Sequence, residues 1–158
     1  MCLTVVVSED SRIVTAERVV SADAAALFEL IADPSRQPEW DGNDNLSEAA
    51  DGQRVHGIGD VFVMHNTGGH VRANHVVEFI EGRLIAWKPS PVGEVQPGHL
   101  WRWELEPVGD GTTLVRHTYD WSGLTDESRF ERARSFTADA LRASVDRLAK
   151  LAETNVHH

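Results

Sequence analysis

The chain has 158 residues, 41% of them hydrophobic, and a formal charge of -10 from 25 acidic against 15 basic side chains. That length supports one core, with roughly 68–70% of the unfolded surface buried on folding. The acidic balance opposes binding to nucleic-acid phosphates or anionic lipid surfaces, and the single cysteine, Cys2, excludes an intramolecular disulfide and any cluster of thiolate ligands.

Met1 to Val7 is apolar, but it lacks a basic start and reaches Glu9 and Asp10 too soon for a signal-peptide core or a membrane span, so the expected location is the cytoplasm, without membrane insertion. Arg12 to Val20 alternates as a strand. Ser21 offers a cap to a helix from Ala22 to about Ile31, which Asp33-Pro34 ends. Pro34 suits the first turn of a second short helix, with Asp33 as its cap and Pro38 closing it before Trp40. Asn43 to Gly59 is polar and reads as a weak strand plus loop, with Asp41 and Asp44 solvated.

From Val61 the period becomes two. VFVMHN, a Gly68-Gly69 turn and HVRANHVVEFI predict a hairpin in which Phe62 faces His75 and Met64 faces Ala73. On that register the buried face carries Phe62, Met64, Val71, Ala73, His75, Val77 and Phe79. A three-residue turn, Glu81-Gly82-Arg83, then places Ile85 and Trp87 on the same face. Ser90 to Gly98, with two prolines and two glycines, is a flexible connection. His99, Trp101, Trp103 and Leu105 alternate with charged neighbours, and after Val108 to Gly111 so do Thr113, Val115, His117, Tyr119 and Trp121. Thr125 is the expected cap of a long amphipathic helix to about Glu153, with Phe130, Ala133, Phe136, Ala140, Leu141, Val145 and Leu148 on its apolar face.

An antiparallel sheet must bury one face, and a long helix across it is a standard two-layer solution. This order, with Asp33-Pro34-Ser35 and Trp40, Gly57-Ile58-Gly59-Asp60, Val76 to Trp87 and Trp101 to Trp121, resembles the START-like superfamily, specifically its bacterial polyketide cyclase/dehydrase and lipid-transport group. The resemblance covers about residues 12–153 and implies an α+β helix-grip fold. A curved antiparallel sheet of six to seven strands would wrap the C-terminal helix, with two short helices after the first strand. The whole chain, 1–158, is then one domain, with 1–10 and 154–158 peripheral.

The resemblance further implies a cavity between sheet and helix. Its candidate lining is Trp40, Phe62, Met64, His75, Val77, Trp87, Trp101, Trp103, His117, Tyr119, Phe136 and Ala140, with Trp121 among the aromatics that form a wall. The expected partner is a small apolar, lipid-, polyketide- or steroid-like molecule, bound for transport, sequestration or sensing by a monomer or homodimer. An alternative is a cyclase or dehydratase in which His75, His117 or Tyr119 moves a proton; another is a protein-interaction domain of the chaperone-binding kind. No metal-ligand spacing such as H-E-x-x-H occurs, and Gly68-Gly69 lacks the lysine and following helix of a phosphate loop, so neither a metal nor a cofactor is expected. His157-His158 resembles the start of a purification tag and carries no metal reading.

Overall fold

The computed structural model describes residues 12–43 and 45–155. In chain order these form β1 (Ile13–Val20), α1 (Ala24–Ala32), a 3-10 turn (Pro34–Arg36), α2 (Gln37–Trp40), β2 (Leu46–Glu48), β3 (Val61–Asn66), β4 (Val71–Ile80), β5 (Leu84–Pro91), β6 (Leu100–Gly109) and β7 (Thr112–Asp120). A second 3-10 turn (Glu127–Arg129), α3 (Phe130–Ser135) and α4 (Ala138–Asn155) follow. The strands form one antiparallel sheet in the order β1-β7-β6-β5-β4-β3-β2, the curled half-barrel of a helix-grip fold. Its concave face holds the core, where Val20, Ile85, Trp103 and Val115 meet Leu27, Phe28 and Ile31 of α1 and Leu141, Val145 and Leu148 of α4.

Alternation in β6 and β7 holds as read, with Trp103, Leu105, Val115, His117 and Tyr119 all buried. In β3 and β4 it does not. The connecting loop has three residues, since the Asn66 N–H donates to the His70 carbonyl at 2.7 Å and His65 pairs with Val71. Phe62 therefore faces Asn74 and Met64 faces Arg72. Because side chains alternate with period two, that one-residue slip turns Val71, Ala73 and His75 to the convex side and Arg72 and Asn74 to the concave one. A bulge between Val76 and Glu78 then adds Val77 as an extra residue and restores the expected parity at Phe79, which packs edge-on against Phe28 at 5.6 Å.

The helical segments also differ in detail. α1 begins at Ala24, with Asp23 rather than Ser21 at its N-cap. Asp33 caps the following turn as expected, accepting from the Ser35 N–H at 3.1 Å and its hydroxyl at 2.8 Å. Pro38 stands in the first turn of α2 instead of closing a helix. That is the helical position at which proline's missing N–H costs nothing. α2 in turn completes α1: Gln37 Nε2 donates to the Ile31 carbonyl at 2.9 Å and Trp40 Nε1 to the Leu30 carbonyl at 2.8 Å, satisfying end carbonyls without helical partners.

The single long C-terminal helix is divided. Asp126, not Thr125, caps the 3-10 turn, and the chain leaves helical geometry at Phe136 (φ -84°, ψ 87°). α4 restarts with the Thr137 hydroxyl accepting from the Ala140 N–H at 3.2 Å. Arg18 of β1 pairs with Asp146 of α4 at 2.9 Å, tying helix to sheet edge.

Candidate functional site

Three neighbouring strands deliver the aromatics. Trp87 lies opposite Trp101, Trp101 opposite Tyr119, and Trp103 opposite His117, so inward parity gathers them on one patch of the concave face. Trp101 is its hub: its ring lies 4.3 Å from Tyr119, 5.6 Å from His117 and, edge to face, 5.0 Å from Phe136. Phe136 reaches the patch because the chain breaks there. Trp40 closes against Trp103 from the other side, edge-on at 5.1 Å. The space left has a volume of about 620 Å³, within the range of small-molecule sites.

The loop after α2 forms part of the wall. Asp41 is buried rather than solvated: its carboxylate accepts from the backbone N–H groups of Asn43 (3.1 Å), Asn45 (2.6 Å) and Leu46 (2.7 Å). Asp44 lies outside the described residues. The loop is held to α4, since the Gly42 N–H donates to Ser144 Oγ at 3.1 Å and Asn43 Nδ2 to the Ala140 carbonyl at 2.9 Å. A Cβ on Gly42 would stand 2.6 Å from the Ala143 carbonyl carbon, so a larger residue would push loop and helix apart.

Burial sets the protonation of the inward groups. His117 is forced well below its ordinary value, to about 3, by desolvation, against a smaller upward pull from the Arg102 carbonyl. Its Nδ1 donates to that carbonyl at 3.1 Å, which leaves Nε2 as the unprotonated nitrogen. His99 is lowered to about 4 by desolvation and then by Arg129, Arg72 and Arg132. Desolvation raises the Tyr119 phenol to about 12. Among the described residues, the buried side-chain nitrogens His99 Nδ1 and Trp103 Nε1 find no hydrogen-bond partner.

Of the residues expected to line the cavity, Trp40, Met64, Trp87, Trp101, Trp103, His117, Tyr119 and Phe136 do so. Phe62, His75, Val77 and Ala140 do not. Phe62 is core, edge-on to Trp87 at 5.3 Å. His75 is on the convex face, its Nε2 3.2 Å from Ser90 Oγ, and Val77 is the bulge residue. Trp121 packs against Phe130 at 5.4 Å with Arg12 over it, also away from the cavity.

Polar lining residues outside that expected set include Gln37, Asp41, Asn66, Arg72, Asn74, His99, Arg129, Arg132 and Ser144. Alternation through Trp101 already pointed His99 inward. Nothing in the sequence marks Arg129 and Arg132, which stand on the arm bent over the cavity by the break at Phe136. Among the described residues no three His, Cys, Asp or Glu side chains gather as a metal site needs, and no helix is long and apolar enough to cross a membrane.

The family described as polyketide cyclase/dehydrase and lipid transport matches residues 11–153. This chain belongs to that family. Two uncharacterized proteins of Mycobacterium tuberculosis, Rv0088 and MT0096, are each 27% identical to it over 139 residues, which is 85% of this chain. The chain spans about 60% of the length of those relatives. Among solved structures, MLL2253 of Mesorhizobium loti superimposes with a TM-score of 0.67 at 18% identity, covering 90% of this chain and 98% of that one. A norcoclaurine synthase point mutant from Thalictrum, in complex with a transition-state analogue, gives a TM-score of 0.61 at 15% identity, with coverage of 90% and 94%. At such identities the likeness is one of fold. Membership of the polyketide cyclase/dehydrase and lipid transport family, with this helix-grip sheet, supports a ligand-binding domain.

Proposed function

We propose that the chain is a non-covalent binding module for a small aromatic or apolar molecule, held between the sheet and α3–α4 for transport, sequestration or sensing. The observation that carries this reading is the ring cluster of Trp101, Tyr119 and Phe136 bordering a cavity of about 620 Å³. Flat rings at one wall give a planar ligand a stacking surface and exclude water around it. Burying about 300 Å² of ligand would supply roughly 7 kcal/mol before ordering costs, which is consistent with micromolar binding.

Proton transfer by His117 or Tyr119 is the weaker reading. An efficient acid or base works near the ambient pH, whereas burial holds His117 at about 3 and Tyr119 at about 12. At neutral pH the imidazole is a neutral, poorly basic acceptor and the phenol a hydrogen-bond donor, roles that orient a ligand. Native mass spectrometry of protein purified without denaturation tests the proposal: a retained small molecule, lost on Trp101→Ala, is expected. No adduct, together with no binding of any member of a panel of aromatic and aliphatic compounds, would overturn it.

A further inference from the structure

We propose that the cavity takes its ligand as an anion, a carboxylic acid whose aromatic or apolar body lies along Trp101, Tyr119 and Phe136 and whose carboxylate is met by Arg72, Arg129 and Arg132. This rests on the binding reading above and names the class of ligand.

The three arginines come from opposite sides of the cavity. Arg72 is on β4, while Arg129 and Arg132 are on the 3-10 turn and α3, yet all line the same space. In a chain carrying a formal charge of -10, that is a local reversal of sign. Six arginines elsewhere are compensated: Arg18, Arg36, Arg102 and Arg142 have carboxylate partners at 2.6 to 3.0 Å, and Arg54 and Arg116 also form close pairs. Among the described residues, those at the cavity have at most one loose carboxylate pair between them. Arg72 donates to the Val71 carbonyl at 3.2 Å and, among the described residues, has no carboxylate within 4.0 Å. Arg129 keeps only a loose pair with Asp126 at 3.6 Å, and Arg132 donates to the neutral Asn45 Oδ1 at 3.1 Å.

The one carboxylate in the lining among the described residues, Asp41, does not fill this gap, because three backbone N–H groups already use its oxygens. The positive charge is also felt by its neighbours. Arg72 is lowered from the ordinary arginine value by desolvation and then by Arg129 and Arg132, against a smaller upward pull from Glu94, and the same three guanidinium groups push His99 down. Half-buried His99 lines the same space with an unpartnered buried Nδ1. An entering carboxylate relieves this repulsion and matches the planar donor fork of arginine, while Phe136, 5.4 Å below the Arg132 guanidinium, places apolar surface beside the charge. A neutral ligand of the same shape leaves the repulsion in place.

The test is a matched pair of probes, 2-naphthoate and 2-naphthamide, titrated by calorimetry at low salt into the wild-type protein, Arg72→Gln, and the double variant Arg129→Gln/Arg132→Gln. Naphthoate is expected to bind about tenfold or more tightly than the amide, the effect of one or two charge-assisted hydrogen bonds. In both variants the naphthoate affinity should fall to near that of the amide in the same variant, and the amide binding that remains reports that the cavity is intact. Equal binding of the two probes by the wild type, or a preference that survives in both variants, would overturn the anion proposal and leave the binding reading standing. Failure of both probes, and of a wider neutral and anionic panel, would overturn the two together.

Discussion

The His117 imidazole lies flat against the Trp103 indole, with ring centroids 3.8 Å apart and planes 14° from parallel. Burial holds the ring neutral against the opposing pull of the Nδ1 bond to the Arg102 carbonyl, and stability should record this. The unfolded chain protonates His117 near 6.5, whereas the folded protein does so only near 3. Between those values the unfolded state binds one more proton, so stability is fully present above about pH 6.5 and falls as pH drops. The slope is about 1.4 kcal/mol per pH unit for this residue. His99, at about 4 in the folded chain, acts in the same direction. Urea unfolding between pH 7 and pH 5, above most carboxylate titrations, should show the fall, and His117→Phe should remove about half of it. An unchanged slope in that variant would mean the imidazole is not held neutral.

Much of this architecture was legible because the inward residues of β6 up to Leu105 and of β7 from Thr113 follow period two, clear of the irregularity between Pro107 and Gly109. From Trp101 to Tyr119 every inward residue could be read from period two alone, and the ring cluster followed. β4 defeated the same rule through two local features of opposite effect. A three-residue turn at Thr67 to Gly69 slipped the register, and the bulge at Val77 slipped it back, so Phe79 was placed correctly while His75 was not. Neither feature has a composition of its own, since Thr-Gly-Gly suits loops of two or three residues and a valine bulge looks like any strand residue. The break at Phe136-Thr137 was likewise hidden, because no glycine or proline marks it and the apolar spacing continues across it. The arginines of the cavity depended on both hidden features.

The two loops beside the cavity touch through glycine backbones. Gly98 has φ 119°, and a Cβ there would stand 2.2 Å from the Gly123 carbonyl oxygen. Gly98→Ala should therefore cost about 2–4 kcal/mol, from an unfavourable backbone conformation plus a clash with main chain that cannot swing aside. Gly93→Ala is the control: φ is 80°, but nothing lies within 4 Å, so about 1 kcal/mol is expected. Equal losses for the two in denaturant melts would contradict the close approach.

Thr137 restarts the helix that grips the sheet. Its exposed side chain makes the hydroxyl contact to the Ala140 N–H and little else, so Thr137→Ala should cost about 1 kcal/mol, and Thr137→Asp, which keeps an acceptor at the N-terminus, should recover most of it. Thermal melts of the three proteins decide this. A neutral alanine variant would mean that α3 and α4 behave as one continuous helix in solution.

Adjacent residues Asn74 and His75 test the register on which the cavity depends. Asn74 is buried in the lining, with Nδ2 3.4 Å from the Phe62 carbonyl oxygen, while His75 meets Ser90 on the far side of the sheet. Asn74→Ala should thus change the affinity for an aromatic probe such as 2-naphthamide several-fold, because it alters the cavity wall itself. His75→Ala should leave that affinity unchanged and cost at most about 1.5 kcal/mol, the worth of one partly exposed hydrogen bond. Titration followed by tryptophan fluorescence suits both variants, since Trp87, Trp101 and Trp103 border the cavity. If His75→Ala weakened binding while Asn74→Ala did not, the loop would have two residues in solution. Arg72 would then face away from the ligand, and a different set of side chains would line the site.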